Sequence, residues 1–139
     1  ETPAAQCLGT NSFSYSIILH KRSWENSYAA AHNFNYPLFA KSVDRNNGKL
    51  PPVLSILKIM PKDLIMTAFK QSEDRSGYIV RFYNIKSKTV KGEIEFYKSF
   101  KKCYEVNLAE ENINELKIVN GKILLDVPGN KIITLKLEL

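Results

Sequence analysis

Cysteine, histidine, glycine and proline are all scarce in this chain, and each shortage excludes something. Two cysteines, Cys7 and Cys103, are too few for a disulfide scaffold and have no metal-ligand spacing. They read as thiols in a reduced, cytoplasmic setting, although one bridge stays geometrically open. Two histidines, His20 and His32, have no second His or Cys at helical or strand spacing, so no metal site is expected. The 6 glycines and 6 prolines exclude a fibrous repeat. No run approaches the ~18 apolar residues of a membrane helix, so no membrane partner is expected. Residues 1–12 lack the basic start and apolar core of a secretory leader. The chain therefore reads as a processed piece or fragment, with 1–12 as an N-terminal extension or linker and 13–139 as the domain.

Arginine is short as well. The formal charge is +6, yet only Arg22, Arg45, Arg75 and Arg81 among the 20 basic residues are arginines. Nucleic-acid sites favour clustered arginine for bidentate and stacking contacts. Here lysine alternates with glutamate instead, as at Lys91, Glu93 and Glu95, which describes a solvated strand face rather than a nucleic-acid surface.

What is present is enough for a folded core: 139 residues, 44% hydrophobic and 24% charged. Phe13, Tyr15, Ile17 and Leu19 alternate with smaller or polar residues, the period of a strand with one apolar face. Ser23 offers an N-cap for a helix over Trp24–Phe34, with Trp24, Tyr28 and Ala31 along one stripe. Pro37 ends it by forcing Tyr36 out of the α region. Further strands are expected at Val53–Ile59, Leu64–Phe69, Tyr78–Ile85, Thr89–Tyr97 and Lys102–Leu108. In the fourth of these Val90, Ile94 and Phe96 face inward, and in the fifth Tyr104, Val106 and Leu108 do the same. Asn120-Gly121 marks a two-residue hairpin, and Pro128-Gly129 turns into a last strand carrying Ile133, Leu135, Leu137 and Leu139 on one face. The fold class expected is mainly β: an antiparallel two-sheet β-sandwich with one short helix inserted after the first strand.

The chemistry is thin. Asp44, Asp63 and Asp74 fall in turns, where aspartate caps backbone amides. No Gly-x-Ser-x-Gly elbow and no glycine-rich phosphate loop occur. Glu93 and Glu95 share a strand face but sit among lysines, unlike the two acids of a glycosidase cleft. No catalytic residue is assigned. The stretch from Trp24 to Phe39 mixes asparagines with aromatics, a combination suited to sugar hydroxyls and ring faces and equally to an interdomain surface. Tyr15, His20, Trp24 and Asn35 are the candidate interdomain or carbohydrate-facing residues.

Taken in order, these segments resemble the C-terminal β domain of the family 38 glycoside hydrolases, the α-mannosidases. The resemblance is carried by Phe13-Ser14-Tyr15-Ser16-Ile17-Ile18-Leu19-His20, by Trp24, and by Ala29 to Leu38 with its Asn35-Tyr36-Pro37-Leu38 ending. It continues through Leu64 to Asp74, Ile79-Val80-Arg81-Phe82-Tyr83, Val106-Asn107-Leu108-Ala109-Glu110 and Ile132 to Leu137. Asn84 departs from the glutamate usual after that tyrosine. The resemblance implies that zinc ligands and an aspartate nucleophile belong to a separate catalytic barrel in a retaining α-mannosidase. This chain would then be a non-catalytic partner of the remaining domains, packed on the barrel, with a place along the substrate cleft left open. Mannose-containing glycans would be met through the intact enzyme. A free-standing carbohydrate-binding module is the alternative, and a homo-oligomer stays open.

Overall fold

The computed structural model describes residues 6, 8–45 and 47–139, so the thiol of Cys7 lies outside the described residues. The chain divides into two compact units, one ending at Val43 and one running from Asp44 to Leu139.

The first unit contains a 3-10 helix over Trp24–Asn26 and helix α1 over Tyr28–Asn35. Ser23 has the extended backbone of an N-cap, but its side chain makes no capping bond. The hydroxyl that engages the turn is that of Ser27, which donates to the Trp24 carbonyl at 2.8 Å. The expected single helix is therefore broken at Ser27, with a 3-10 turn before it. Tyr36 closes the helix at φ −126° and ψ 71°, outside the α region, as the proline after it requires. Ala31 is exposed, whereas Tyr28 and His32 are half-buried, so the helix's packed stripe runs through His32.

Residues 13–20 form no strand. Alternation supplies an apolar face, but a strand also needs a neighbour for its amides and carbonyls, and among the described residues this unit contains no strand. The helix therefore precedes every strand of the sandwich.

The second unit holds, among the described residues, nine strands: β1 Leu57–Met60, β2 Leu64–Gln71, β3 Gly77–Asn84, β4 Val90–Phe96, β5 Lys102–Val106, β6 Asn112–Leu116, β7 Ile118–Val119, β8 Lys122–Val127 and β9 Ile132–Glu138. They make a four-stranded sheet ordered β1-β4-β8-β7 and a five-stranded sheet ordered β2-β3-β9-β5-β6. Every pairing is antiparallel. The sandwich core is built by Val80 and Phe82 of β3, Ile94 and Phe96 of β4, Ile123 and Val127 of β8, and Ile133, Leu135 and Leu137 of β9. The inward faces of β4 and β9 are those expected from alternation. Val53–Ile59 shortens to β1 at Leu57, where pairing with Phe96 begins.

Strand β5 corrects the expectation. Cys103, not Tyr104, faces the core and is fully buried. Tyr104 pairs opposite Lys136, and Cys103 opposite Leu137, which sets the faces. Strand β6 follows, an edge strand whose residues are exposed except for a half-buried Leu116.

Turn chemistry sets the register. Asn120 and Gly121 both take positive φ, 51° and 75°, in the hairpin from β7 to β8. Gly77 opens β3 where a Cβ would lie 2.0 Å from the Leu137 carbonyl oxygen, so no larger residue fits between β3 and β9.

Candidate functional surface

In the first unit, aromatic rings stack at four-residue intervals along the helical segment. Trp24 meets Tyr28 edge-on with centroids 5.9 Å apart. Tyr28 meets His32 at 4.6 Å, and His32 stacks on Tyr36 at 5.7 Å. The Tyr28 hydroxyl and His32 Nε2 are hydrogen-bonded at 2.8 Å. This spacing follows from residues i and i+4 lying one above the other on a helix. Trp24 is 53% exposed and Tyr36 75%, so the ladder ends in an exposed aromatic side chain on each side.

Of the four candidate residues, Trp24 begins this ladder. Asn35 is exposed at the last position of α1. Tyr15 and His20 are exposed in the segment before the helices, where no helix or strand holds them. The ladder adds His32 and Tyr36, which composition alone did not single out. Their signal was the i, i+4 recurrence of rings from Trp24 onward.

In the second unit, carboxylates are engaged with cations. Glu93 accepts from Lys122 at 2.6 Å, and Glu95 lies 3.7 Å from Lys58. Both pairs sit on the outer face of the four-stranded sheet, the solvated face expected there. Asp74 behaves as a turn residue, accepting from the Ser76 amide at 3.1 Å and the Ser72 hydroxyl at 2.7 Å. It also pairs with Lys136 of β9 at 2.5 Å. The Lys136 ammonium, with the Ser72 and Ser76 donors, holds its carboxyl well below the usual carboxylate range.

Across the outer face of the five-stranded sheet, Glu110 reaches Lys70 of β2 at 2.8 Å, although β3 and β9 lie between β2 and β5. Its carboxylate also accepts from the Glu73 amide at 2.8 Å. The turn after β5 therefore folds back over this face. That explains why Ile79, Thr134 and Lys136, which alternate with core residues and point away from the interior, are buried as well.

The open clefts of the sandwich gather little catalytic chemistry. One of about 570 Å³ runs beside β5, β6 and β7 and brings Lys101, Lys102 and Lys117 together with Glu115. Three smaller ones contain one carboxylate each: Glu95, Asp126 and Glu105. A retaining glycosidase needs two carboxyl groups about 5–5.5 Å apart across the substrate. Burial pushes the Cys103 thiol up to about 12, the opposite of an activated nucleophile. Among the described residues no group of three or more His, Cys, Asp or Glu is arranged to hold a metal ion. No helix among them is long and apolar enough to cross a membrane.

The family model described as "Glycosyl hydrolases family 38 C-terminal beta sandwich domain" matches residues 63–137, from the turn before β2 to the end of β9. The chain belongs to this family. It is also 30% identical over 142 residues to a protein of Halalkalibacterium halodurans described as "Putative mannosylglycerate hydrolase". That alignment takes in 99% of this chain but only 15% of the relative. A glycoside hydrolase family 38 sandwich is thus joined here to an aligned N-terminal unit bearing the aromatic ladder.

Proposed function

We propose that this chain is the non-catalytic C-terminal β-sandwich part of a zinc-dependent, retaining α-mannosidase. In this reading the nucleophile and the zinc ligands lie elsewhere on the intact polypeptide. The observation that carries it is the alignment that spans nearly all of this chain and 15% of a relative named as a hydrolase of a mannoside. The single-carboxylate clefts and the high-pKa buried thiol support it. So does the pairing of Glu93 with Lys122 and of Glu95 with Lys58 on the outer face of the four-stranded sheet. Zinc would supply Lewis-acid chemistry in the intact enzyme. The described residues of this chain do not assemble a site for it.

Tyr15, His20, Trp24 and Asn35 then face the remaining domains. The ladder's exposed end residues Trp24 and Tyr36, the latter next to Asn35, also suit contact with a sugar, which keeps a carbohydrate-binding module as the second reading. The relative's name makes mannosylglycerate the first natural substrate to try.

Two preparations test this: the intact enzyme and the 139-residue chain, each given 4-nitrophenyl α-mannoside and mannosylglycerate with added zinc. Hydrolysis by the intact enzyme alone is expected. Turnover by the 139-residue chain would overturn the proposal. Saturable quenching of Trp24, the one tryptophan, by mannose oligosaccharides in the isolated chain would favour the binding module.

A further inference from the structure

Residues 13–20 combine three properties that do not fit a surface loop. Phe13, Tyr15, Ile17 and Leu19 recur at every second position and are 86%, 79%, 83% and 95% exposed. Exposed singly, large apolar side chains need no explanation, but four in strict strand alternation would share one continuous apolar face in an extended strand. The backbone carries no strand, and among the described residues the compact unit that contains it has no strand to offer as a partner. The segment also lies within the alignment to the longer relative, 85% of whose length is outside the match, so it is shared with a protein that has many more residues to pair with.

The sandwich has no free edge suited to it. Strand β1 has four residues, β7 two and β6 five. Strand β2 has eight, but its ladder is interrupted between Met66 and Ala68, which bends an edge away from further pairing. An eight-residue strand with one wholly apolar face needs a long, regular edge and a core beneath it.

We propose that residues 13–20 become a strand by adding to the edge of a β-sheet contributed by the part of the enzyme outside these 139 residues, with Phe13, Tyr15, Ile17 and Leu19 turned into that sheet's core. This rests on the reading that the chain is one portion of a larger glycosidase, and it specifies how the portion is joined. Main-chain bonds hold the strand and alternate side chains set its register. The Trp24 ladder follows four residues later, next to the junction in sequence.

Hydrogen exchange on the intact, unmodified enzyme tests the strand. Every second amide of residues 14–20, the set facing the partner strand, is expected to exchange at least about 100-fold more slowly than in an unstructured peptide. Exchange at the unstructured rate overturns the proposal. A photo-crosslinker, Tyr15→p-benzoylphenylalanine in the intact enzyme, identifies the partner. Adducts to peptides outside the 139 residues support the assignment. Adducts to residues 44–139, or to a second copy, overturn it. The mannoside assay on the same preparation separates the two readings. An active enzyme with unprotected 14–20 sinks only the strand, and an inactive enzyme with protected 14–20 sinks only the glycosidase.

Discussion

Lys136, on the outer face of β9, places its ammonium 2.5 Å from a carboxylate oxygen of Asp74 in the β2–β3 turn. The lysine side chain is 8% exposed and the aspartate 55%, so the two partners have unequal alternatives. Remove the carboxylate and a buried cation is left with only Glu138, 4.0 Å away. Remove the lysine and the carboxylate still has water and its turn donors. Asp74→Asn is therefore expected to lower the urea midpoint of the chain more than Lys136→Met does. Equal losses would show that the pair's burial is not what sets its contribution.

The same pair predicts an acid limb. Folding favours the charged form of Asp74, chiefly through Lys136. The stability this gives is complete above the ordinary aspartate value of about 3.9 and is lost as pH falls from there through the lowered folded-state value. Glu110, lowered first by its bond to Lys70, acts in the same direction. Thermal unfolding should be nearly flat from pH 5 to 7 and fall steeply below pH 4, and Asp74→Asn should flatten that fall. An acid limb unchanged in the variant would remove Asp74 from the account.

Asn84 makes a different kind of tie. It is fully buried, and its Nδ2 donates to the carbonyls of Lys88, Val127 and Pro128 at 2.9, 3.0 and 3.1 Å. Its Oδ1 accepts from the Lys86 amide at 2.9 Å. One amide side chain thereby fastens the β3–β4 turn to the β8–β9 turn, across the two sheets. Asn84→Ala orphans these groups and should cost about 1–3 kcal/mol in chemical unfolding. Asn84→Asp should cost more, since a carboxylate would face three carbonyls with nothing to donate.

The parts of this fold that were legible in the sequence are those where one strand face meets one core. Ile94 and Phe96 alternate with Glu93 and Glu95 because their side of the sheet is the dry one, Leu135 and Leu137 alternate with Thr134 and Lys136 although those are covered too, and Asn120-Gly121 names its turn by backbone sterics alone. Strand β5 misled because both its faces are covered: the turn carrying Glu110 folds over the outer one, so Val106 is buried away from the sandwich interior and mimics a core residue. Strand β6 left almost no mark, since an edge strand of Asn112, Asn114 and Glu115 buries little. In the candidate site the ring spacing at Trp24 and Tyr28 was visible, but its continuation to His32 depended on where the helix begins. Phe13 to Leu19 shows the limit of the pattern: alternation reports a strand's need for a partner, and among the described residues of its unit there is no strand to supply one.

Cys103 is expected to be inert in the native state. Its thiol is fully buried and pushed up to about 12, so almost no thiolate exists at pH 8. In a Cys7→Ser variant, which leaves one thiol, a disulfide reagent should give no labelling without denaturant and one equivalent in urea. Prompt native labelling would mean that β5 opens readily. The exchange rate of its amides would then locate the opening.

Two glycines should respond in opposite measure to the same substitution. At Gly77 a methyl group would collide with the Leu137 carbonyl, a backbone atom held by the β3–β9 ladder, so relief requires the two strands to separate. At Gly121 nothing lies within 4 Å, and the penalty comes only from a φ of 75°. Gly121→Ala is expected to cost about 1 kcal/mol, with the sheets intact. Gly77→Ala should cost several times as much, and its damage should be local to β3 and β9, read as accelerated exchange at Val80 and Leu135 ahead of Ile94 and Ile123. Uniform acceleration across both sheets would show instead that the sandwich unfolds as one unit whichever strand is strained.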